Sequence, residues 1–457
     1  MTDTTTGLLW LQPEPYDASA PSLTAHADAI GQVMAGTGRL WLGPFAPPAQ
    51  LPEGFEETAL VVPTSGSTGL AKAVALTREA LLASQDATAA VFAADGTAAE
   101  TRGHGFWLPL LPPTHIAGVQ VIARAYRTAQ VLGLDAPALP RVLPDLRGHF
   151  DATAFVALAE PALEQARTAG LPAFTSLVPT QLTRIVTGAT GADARARGLL
   201  KKFAAVLVGG AATPREVLGR ARGQRIPVRT TYGSSETAGG CVYDRQPLPG
   251  VTLTVERPDA EGAGRLLVGS PTLATGYLTD GGGADTSDFS LAPGAGTGAV
   301  GAGAGAVGSG AGAVGTGAGA RRTFRTSDLA IVGADGALTV LGRADDVITT
   351  GGLKVQPQDV ERAIDRSLML RGLVRAAVVV GVEDPEWGQR VEALVVLEPG
   401  AVPAEAGSLV RSALRTTDVD PHMIPRRVHV VEELPLLGIG KVDRAAARRI
   451  AAERSRD

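Results

Sequence analysis

Cysteine is almost missing. Cys241 stands alone in 457 residues, which excludes an internal disulfide and a CxxC metal site and fits a reducing cytosol. A basic excess is missing too. Forty-two Lys+Arg against 46 Asp+Glu leave a formal charge of −4, too little positive charge to hold a nucleic-acid backbone. The opening MTDTTTGLLW lacks the positive charge that begins a secretory signal peptide, so a cytoplasmic protein is expected. Lysine is scarce in its own right: five, at 72, 201, 202, 354 and 441, which leaves 37 of the 42 basic residues as arginine. What is plentiful is apolar residue, 45% of the chain, enough for a packed core. At roughly 150 residues per domain the length suggests two to four domains.

One apolar stretch is deceptive. Residues 290–320 carry no charge and are mostly Gly and Ala, long enough to cross a bilayer. Glycine so frequent makes a poor helix and offers lipid almost no side chain. We read a disordered, low-complexity insertion over about 281–320 and no stable membrane insertion.

Elsewhere, short apolar runs at 59–63, 106–111, 174–178 and 203–208 alternate with helical segments such as 77–92, where Thr77 is the expected N-cap. Thr213-Pro214-Arg215-Glu216 reads as a capped helix start. Strands interleaved with helices indicate a layered α/β core. A hairpin is expected around Ala334-Asp335-Gly336. A shorter αβ region follows, with a helix near 358–368 and strands near 376–382 and 391–397. We place the boundary at 342–346.

Three segments carry chemical signals. Thr64-Ser65-Gly66-Ser67-Thr68-Gly69-Leu70-Ala71-Lys72 follows a strand and combines hydroxyls, glycines and an ammonium. That set suits phosphate oxygens, although it is not the GxxxxGK[ST] loop, and a simple polar turn is the competing reading. Three of the five lysines, 72, 354 and 441, sit in glycine-containing segments, where compact ammonium and broad guanidinium are not equivalent. Thr230-Thr231-Tyr232-Gly233-Ser234-Ser235-Glu236-Thr237 should lie at a strand's end, where open α/β sheets bind ligands. Its aromatic ring suits a purine and its carboxylate a magnesium-bound phosphate; a core tyrosine and a solvated glutamate are the plainer alternative. Asp328 and Arg343 flank the boundary; an Asp beside a strand suits a ribose, and a surface ion pair is the plainer reading of the two residues taken alone.

TSGSTGLAK, YGSSE, TSDLA, GRADD, GGLKVQPQDVE and LPLLGIGKVDR occur in this order over about residues 59–450. They resemble the successive motifs of the adenylate-forming superfamily, which includes acyl- and aryl-CoA synthetases, peptide-synthetase adenylation domains and luciferases. LPLLPPTHIAGVQ (108–120), SLVPTQL (176–182) and LVGGAAT (207–213) are most similar to o-succinylbenzoate–CoA ligases of menaquinone biosynthesis, in their short actinobacterial form. The short form accounts for a phosphate loop as early as residue 64, while the missing N-terminal region leaves the usual dimer surface, and hence a homodimer, open.

The resemblance implies a large layered α/β N-terminal domain (1–342), a hinge (343–346) and a small mobile α+β C-terminal domain (347–457). It implies ATP, Mg²⁺ and coenzyme A. Thr64, Ser65, Gly66, Ser67, Thr68, Gly69 and Lys72 would cradle phosphates. Glu236 would hold Mg²⁺. Gly210, Ala211, Thr231, Tyr232, Gly233, Ser234 and Ser235 would line the nucleotide, and Asp328 and Arg343 the ribose. Lys441, Glu236 and His115 form the implied catalytic set, with Asp345 as hinge. Gly351, Gly352 and Lys354 would meet coenzyme A. His115, Ser176, Thr180 and Gly209 would border the acyl pocket, although a hydrogen-bonded core histidine is an equal reading of His115. Another aryl- or fatty-acid ligase, a stand-alone adenylation domain, and a nonproductive nucleotide-binding homologue are the alternatives.

Overall fold

The computed structural model describes residues 8–65, 71–292, 321–367, 370, 372–398, 400–436 and 442–455. Gly66, Ser67, Thr68, Gly69 and Lys441 therefore lie outside the described residues, as does the tract 293–320.

Three sheets precede residue 344. In the first, six strands run in the order Trp10–Leu11, Arg39–Trp41, Thr58–Ser65, Ala71–Thr77, Gly276–Leu278 and Ala284–Asp285. The second places Phe106–Leu108, Ala173–Leu177, Ala205–Val208 and Val228–Ser234 side by side in parallel. Antiparallel Gly239–Tyr243 and Gln246–Pro247 complete it. The first three of these strands are buried throughout. Their sequences, FWL, AFTSL and AVLV, are accordingly near-continuous apolar runs, because helices such as Ile116–Leu132 and Ala152–Thr168 pack against them. The third sheet joins Thr252–Glu256, Gly264–Gly269, Arg321–Val332, Phe289–Ala292 and Leu338–Arg343 in antiparallel pairs. Its last hairpin turns at Gly336, whose φ of 77° favours glycine.

The fourth sheet, after residue 347, is made of Leu353–Val355, Ile348–Thr350, Gly388–Leu397, Val374–Asp384 and Arg427–Val430. Successive side chains of a strand face opposite ways. Val379, Val391, Ala393 and Val395 pack with Val360, Ala363 and Val410. Val378, Val380, Leu394 and Val396 pack with Ala447 and Ala451 of the helix Arg444–Arg454. Both faces are thus covered. Among the described residues, the buried apolar clusters sort into 23–338 on one side of the boundary and 348–451 on the other.

Local chemistry sets most element ends. Thr77 Oγ1 accepts from Ala80 N at 3.1 Å and starts the helix Arg78–Ala94, as expected of an N-cap. Thr213 does not cap. Pro214 adopts ψ 137°, so the helix begins one residue later as Arg215–Gly223 and no side-chain cap bond forms. The expected disordered insertion over about 281–320 does not hold for its first residues, because Ala284–Asp285 and Phe289–Ala292 are paired into sheets; its remainder lies outside the described residues. Among the described residues no helix is long and apolar enough to cross a membrane.

Candidate active site

Lys72 lies on the strand Ala71–Thr77, directly across from Thr64. On the other side of that strand Tyr277 is paired with Val74, two residues from Lys72 and so on the same face. The Lys72 ammonium sits 4.1 Å from the Tyr277 ring centroid and 3.7 Å from Asp288 Oδ2. The Tyr277 hydroxyl reaches Glu236 Oε1 at 3.1 Å and Asp288 Oδ2 at 3.3 Å. Burial, then the charges of Glu236 and Asp288, push this phenol far above its ordinary pKa, so it stays a donor. Glu236 is buried in the short turn Ser235–Thr237, and its carbonyl accepts from Ala274 N at 2.8 Å. One ammonium, one phenol and two carboxylates therefore converge from four separate segments.

Thr230–Thr237 was expected at a strand's end, and it spans one. Thr230–Ser234 closes the strand Val228–Ser234, with Thr231, Tyr232, Gly233 and Ser234 paired to the strand Gly239–Tyr243, and Ser235–Thr237 is the short turn that follows. The pairing follows from the reversal at Ala238, held at φ 50°. Ser84 Oγ and Gln120 Nε2 both donate to the Ala238 carbonyl, at 3.0 and 2.7 Å, and offset the cost of that left-handed backbone. At Gly233 a Cβ would fall 2.0 Å from Gly239 O. Gly233→Ala is expected to cost about 2 kcal/mol, read as a lower thermal midpoint. Gly219→Ala, where an added Cβ meets nothing within 4 Å, should not lower it.

Tyr232 donates to Asp328 Oδ2 at 2.6 Å. Burial and the Asp328 charge raise the Tyr232 pKa well above its ordinary value. Asp328 is directly across from Arg343 in the pairing of Arg321–Val332 with Leu338–Arg343. Arg343 in turn reaches Asp345 Oδ2 at 3.4 Å. The structure thus brings Tyr232, Asp328, Arg343 and Asp345 into one chain of contacts. Gly209 abuts Thr231, whose Oγ1 lies 2.1 Å from where a Cβ would be. Gly210 follows with φ 85°, and Gly210 and Ala211 are exposed.

His115 is half-buried at the start of the helix Ile116–Leu132. Ser176 is buried in its strand, whereas Thr180 is exposed on the first turn of Pro179–Thr187. Gly351 and Gly352, at φ 56° and 81°, make the turn that sets Lys354 across from Thr349. Lys354 is exposed.

Three side chains escaped the sequence reading. Tyr277 and Asp288 lie outside the motifs, and Asp288 falls inside the expected insertion. Arg124 had a readable signal: Gln120, Arg124 and Thr128 recur every four residues on the buried face of an otherwise apolar helix. Arg124 is 6% exposed. Its Nη2 donates to Thr88 Oγ1 and Tyr243 Oη, both at 3.2 Å, and its guanidinium carbon lies 5.1 Å from the Trp107 ring centroid. Its Nε has no hydrogen-bond partner among the described residues. Beside it is a cavity of about 10 Å³ whose lining includes Gln85, His104 and Trp107, room for about one water. Burial lowers the His104 pKa, which keeps that imidazole neutral. A buried cation without an anion is costly, and a carboxylate placed here would offset that cost.

Among the described residues no cluster of three or more His, Cys, Asp or Glu could hold a metal ion. Glu236 is a single buried carboxylate linked to the Lys72 ammonium through Tyr277, a set that suits Mg²⁺ carried in by phosphate oxygens rather than a protein-caged ion.

A family profile described as AMP-binding enzyme matches residues 10–278, and one described as AMP-binding enzyme C-terminal domain matches residues 363–441. A probable 2-succinylbenzoate–CoA ligase of Mycobacterium tuberculosis is 38% identical over 87% of this chain and 86% of its own. A 2-succinylbenzoate–CoA ligase of Geobacillus kaustophilus is 27% identical over 87% of this chain and 70% of its own. Among solved structures, o-succinylbenzoate CoA synthetase from Bacillus subtilis, in complex with its acyl-adenylate intermediate, superimposes with a TM-score of 0.60 at 19% identity. That match covers 96% of this chain and 87% of that one.

Proposed function

The chain belongs to the AMP-binding enzyme family, and on that premise we propose that it joins o-succinylbenzoate to coenzyme A at the expense of ATP, through an acyl-adenylate. The observation that carries the reading is the convergence of Lys72, Tyr277 and Glu236 beside the paired ends Thr64–Ser65 and Ala71–Lys72 of the phosphate-binding segment. An ammonium and a buried carboxylate joined through one phenol suit a triphosphate that arrives with its magnesium. The cytoplasm is the expected compartment.

In the first half-reaction a carboxylate oxygen of the acid attacks the α-phosphorus of ATP, and the bond to pyrophosphate breaks. Negative charge gathers on the transferring group and on pyrophosphate. Lys72 and the hydroxyls of Thr64, Ser65, Ser67 and Thr68 hold the β- and γ-phosphates, with Gly66 and Gly69 allowing close backbone approach. Mg²⁺, held by Glu236 and the phosphates, would supply further neutralisation of that charge. Tyr232 packs on adenine beside Gly210 and Ala211, and Asp328 and Arg343 take the ribose hydroxyls. Lys441 offsets the charge that exists only in the transition state. In the second half-reaction the thiol sulfur attacks the acyl carbon, AMP leaves, and the thiol proton passes to solvent. Rotation about Asp345 withdraws Lys441 and brings Gly351, Gly352 and Lys354 to coenzyme A.

A diacid needs an anchor for the carboxylate that is not activated. We assign it to Arg124. Support comes from a chain of contacts: Gln120, one helical turn before Arg124, holds the carbonyl of Ala238, two residues after Glu236. His115, at the start of the same helix, and Gly209 then border the acyl group. The cavity beside Arg124 is smaller than a carboxylate, so binding requires its lining side chains to move apart.

The test is pyrophosphate release with a panel of acids, with and without coenzyme A. We expect release with o-succinylbenzoate, and a thioester only when coenzyme A is present. Faster release with monocarboxylic benzoates or fatty acids would replace the substrate assignment, and no release with any acid would favour a nucleotide binder without turnover.

A further inference from the structure

We infer that Tyr277 is a positioning residue that holds the phosphate-binding ammonium and the metal-facing carboxylate in one frame. The inference rests on the reading that Lys72 meets phosphate and Glu236 faces Mg²⁺. Tyr277 touches both. Its ring lies under the Lys72 ammonium, with the nitrogen 4.1 Å from the centroid, a favourable cation–π separation. Its hydroxyl donates toward Glu236 Oε1 at 3.1 Å. The side chain is only 3% exposed and is pinned from behind by the Phe289 ring, whose centroid is 5.7 Å away. The strand Gly276–Leu278 is hydrogen-bonded to the strand that carries Lys72, while Ala274 N binds the Glu236 carbonyl. Backbone and side chain therefore fix the same two partners.

The single hydroxyl proton faces two carboxylates, Glu236 and Asp288. Asp288 also draws on Lys72 at 3.7 Å, so it competes with phosphate for the ammonium. The three groups have separable roles. The phenol hydroxyl orients Glu236, the ring steadies Lys72, and Asp288 occupies Lys72 until a nucleotide arrives.

The experiment measures binding rather than turnover. Affinity for a nonhydrolysable ATP analogue is titrated in EDTA, and Mn²⁺ affinity of the protein–analogue complex is followed by electron paramagnetic resonance. Tyr277→Phe keeps the ring and loses the hydroxyl. It is expected to weaken Mn²⁺ about tenfold while changing metal-free nucleotide affinity less than about twofold, because only the hydrogen bond to a charged group is lost. Tyr277→Leu should weaken both, by about fivefold or more for the nucleotide. Asp288→Asn, at a partly exposed position, should leave Mn²⁺ unchanged and tighten nucleotide about threefold.

Unchanged Mn²⁺ affinity in Tyr277→Phe would overturn the inference. So would a uniform loss of nucleotide, acid and coenzyme A affinity together with a lower thermal midpoint. If Tyr277→Leu does not fold, the opposed effects of Tyr277→Phe and Asp288→Asn still decide. No nucleotide binding by the wild-type protein would remove the functional reading as well.

Discussion

Replacement of Lys441 by alanine is expected to slow acid-dependent pyrophosphate release about 1000-fold, some 4 kcal/mol of transition-state stabilisation. Thioester formation from supplied o-succinylbenzoyl adenylate should stay within about twofold of wild type. The asymmetry follows from where charge develops. Displacement of pyrophosphate gathers negative charge that an ammonium offsets, whereas thiol attack on the acyl carbon does not call on that lysine. Two assays check it: pyrophosphate exchange for the first half-reaction, and chromatography of the thioester for the second. Equal damage to both would refute the division of labour. Lys441 lies outside the described residues, so this expectation stands on the sequence. Only five lysines occur among 42 basic residues, and one of them occupies the GIGK segment.

The second large effect concerns the acid. Arg124→Met should raise the KM for o-succinylbenzoate about 100-fold, the loss of hydrogen bonds between two charged groups in a buried place. The KM for ATP should not move. Monocarboxylic analogues that lack the anchored carboxylate should react equally with both proteins, so discrimination between diacid and monoacid collapses. Methionine keeps much of the apolar stem. Thr88 Oγ1 and Tyr243 Oη remain hydrogen-bonded to one another at 3.0 Å. Removing a buried cation that has no acidic partner should leave the thermal midpoint unchanged or raise it. A structural arginine would behave the other way, with a lower midpoint and a diacid KM near wild type.

Local features were readable in the chain wherever a short segment supplies its own reason. Thr77 caps its helix because a hydroxyl at that spacing reaches Ala80 N. Gly336 makes its hairpin because the turn needs positive φ. Pro214 misled, because the same residue that suits a first helical turn can also sit in extended backbone just before it. The motif from Thr230 to Thr237 was legible in its residues and in its place at a strand's end. What it did not show is that the strand after it, Gly239–Tyr243, turns back and pairs with it.

The chain by itself determined the chemistry on offer: a loop of hydroxyls, glycines and one of few lysines, a carboxylate among hydroxyls, and an acid and an arginine at a boundary. These are properties of contiguous residues, so no partner is needed to read them. Tertiary structure alone decided which groups share a site. Tyr277 meets Lys72 through the pairing of Gly276–Leu278 with Ala71–Thr77, two strands about two hundred residues apart in the chain. Asp288 meets both through a segment whose composition pointed to disorder. The four-residue recurrence of Gln120, Arg124 and Thr128 flagged Arg124, but only packing set it among Trp107, Thr88 and Tyr243. The physical reason is the same in each case. Strand pairing across long crossovers and the surroundings of a buried charge depend on the whole fold, and no local pattern of residue types names the partners.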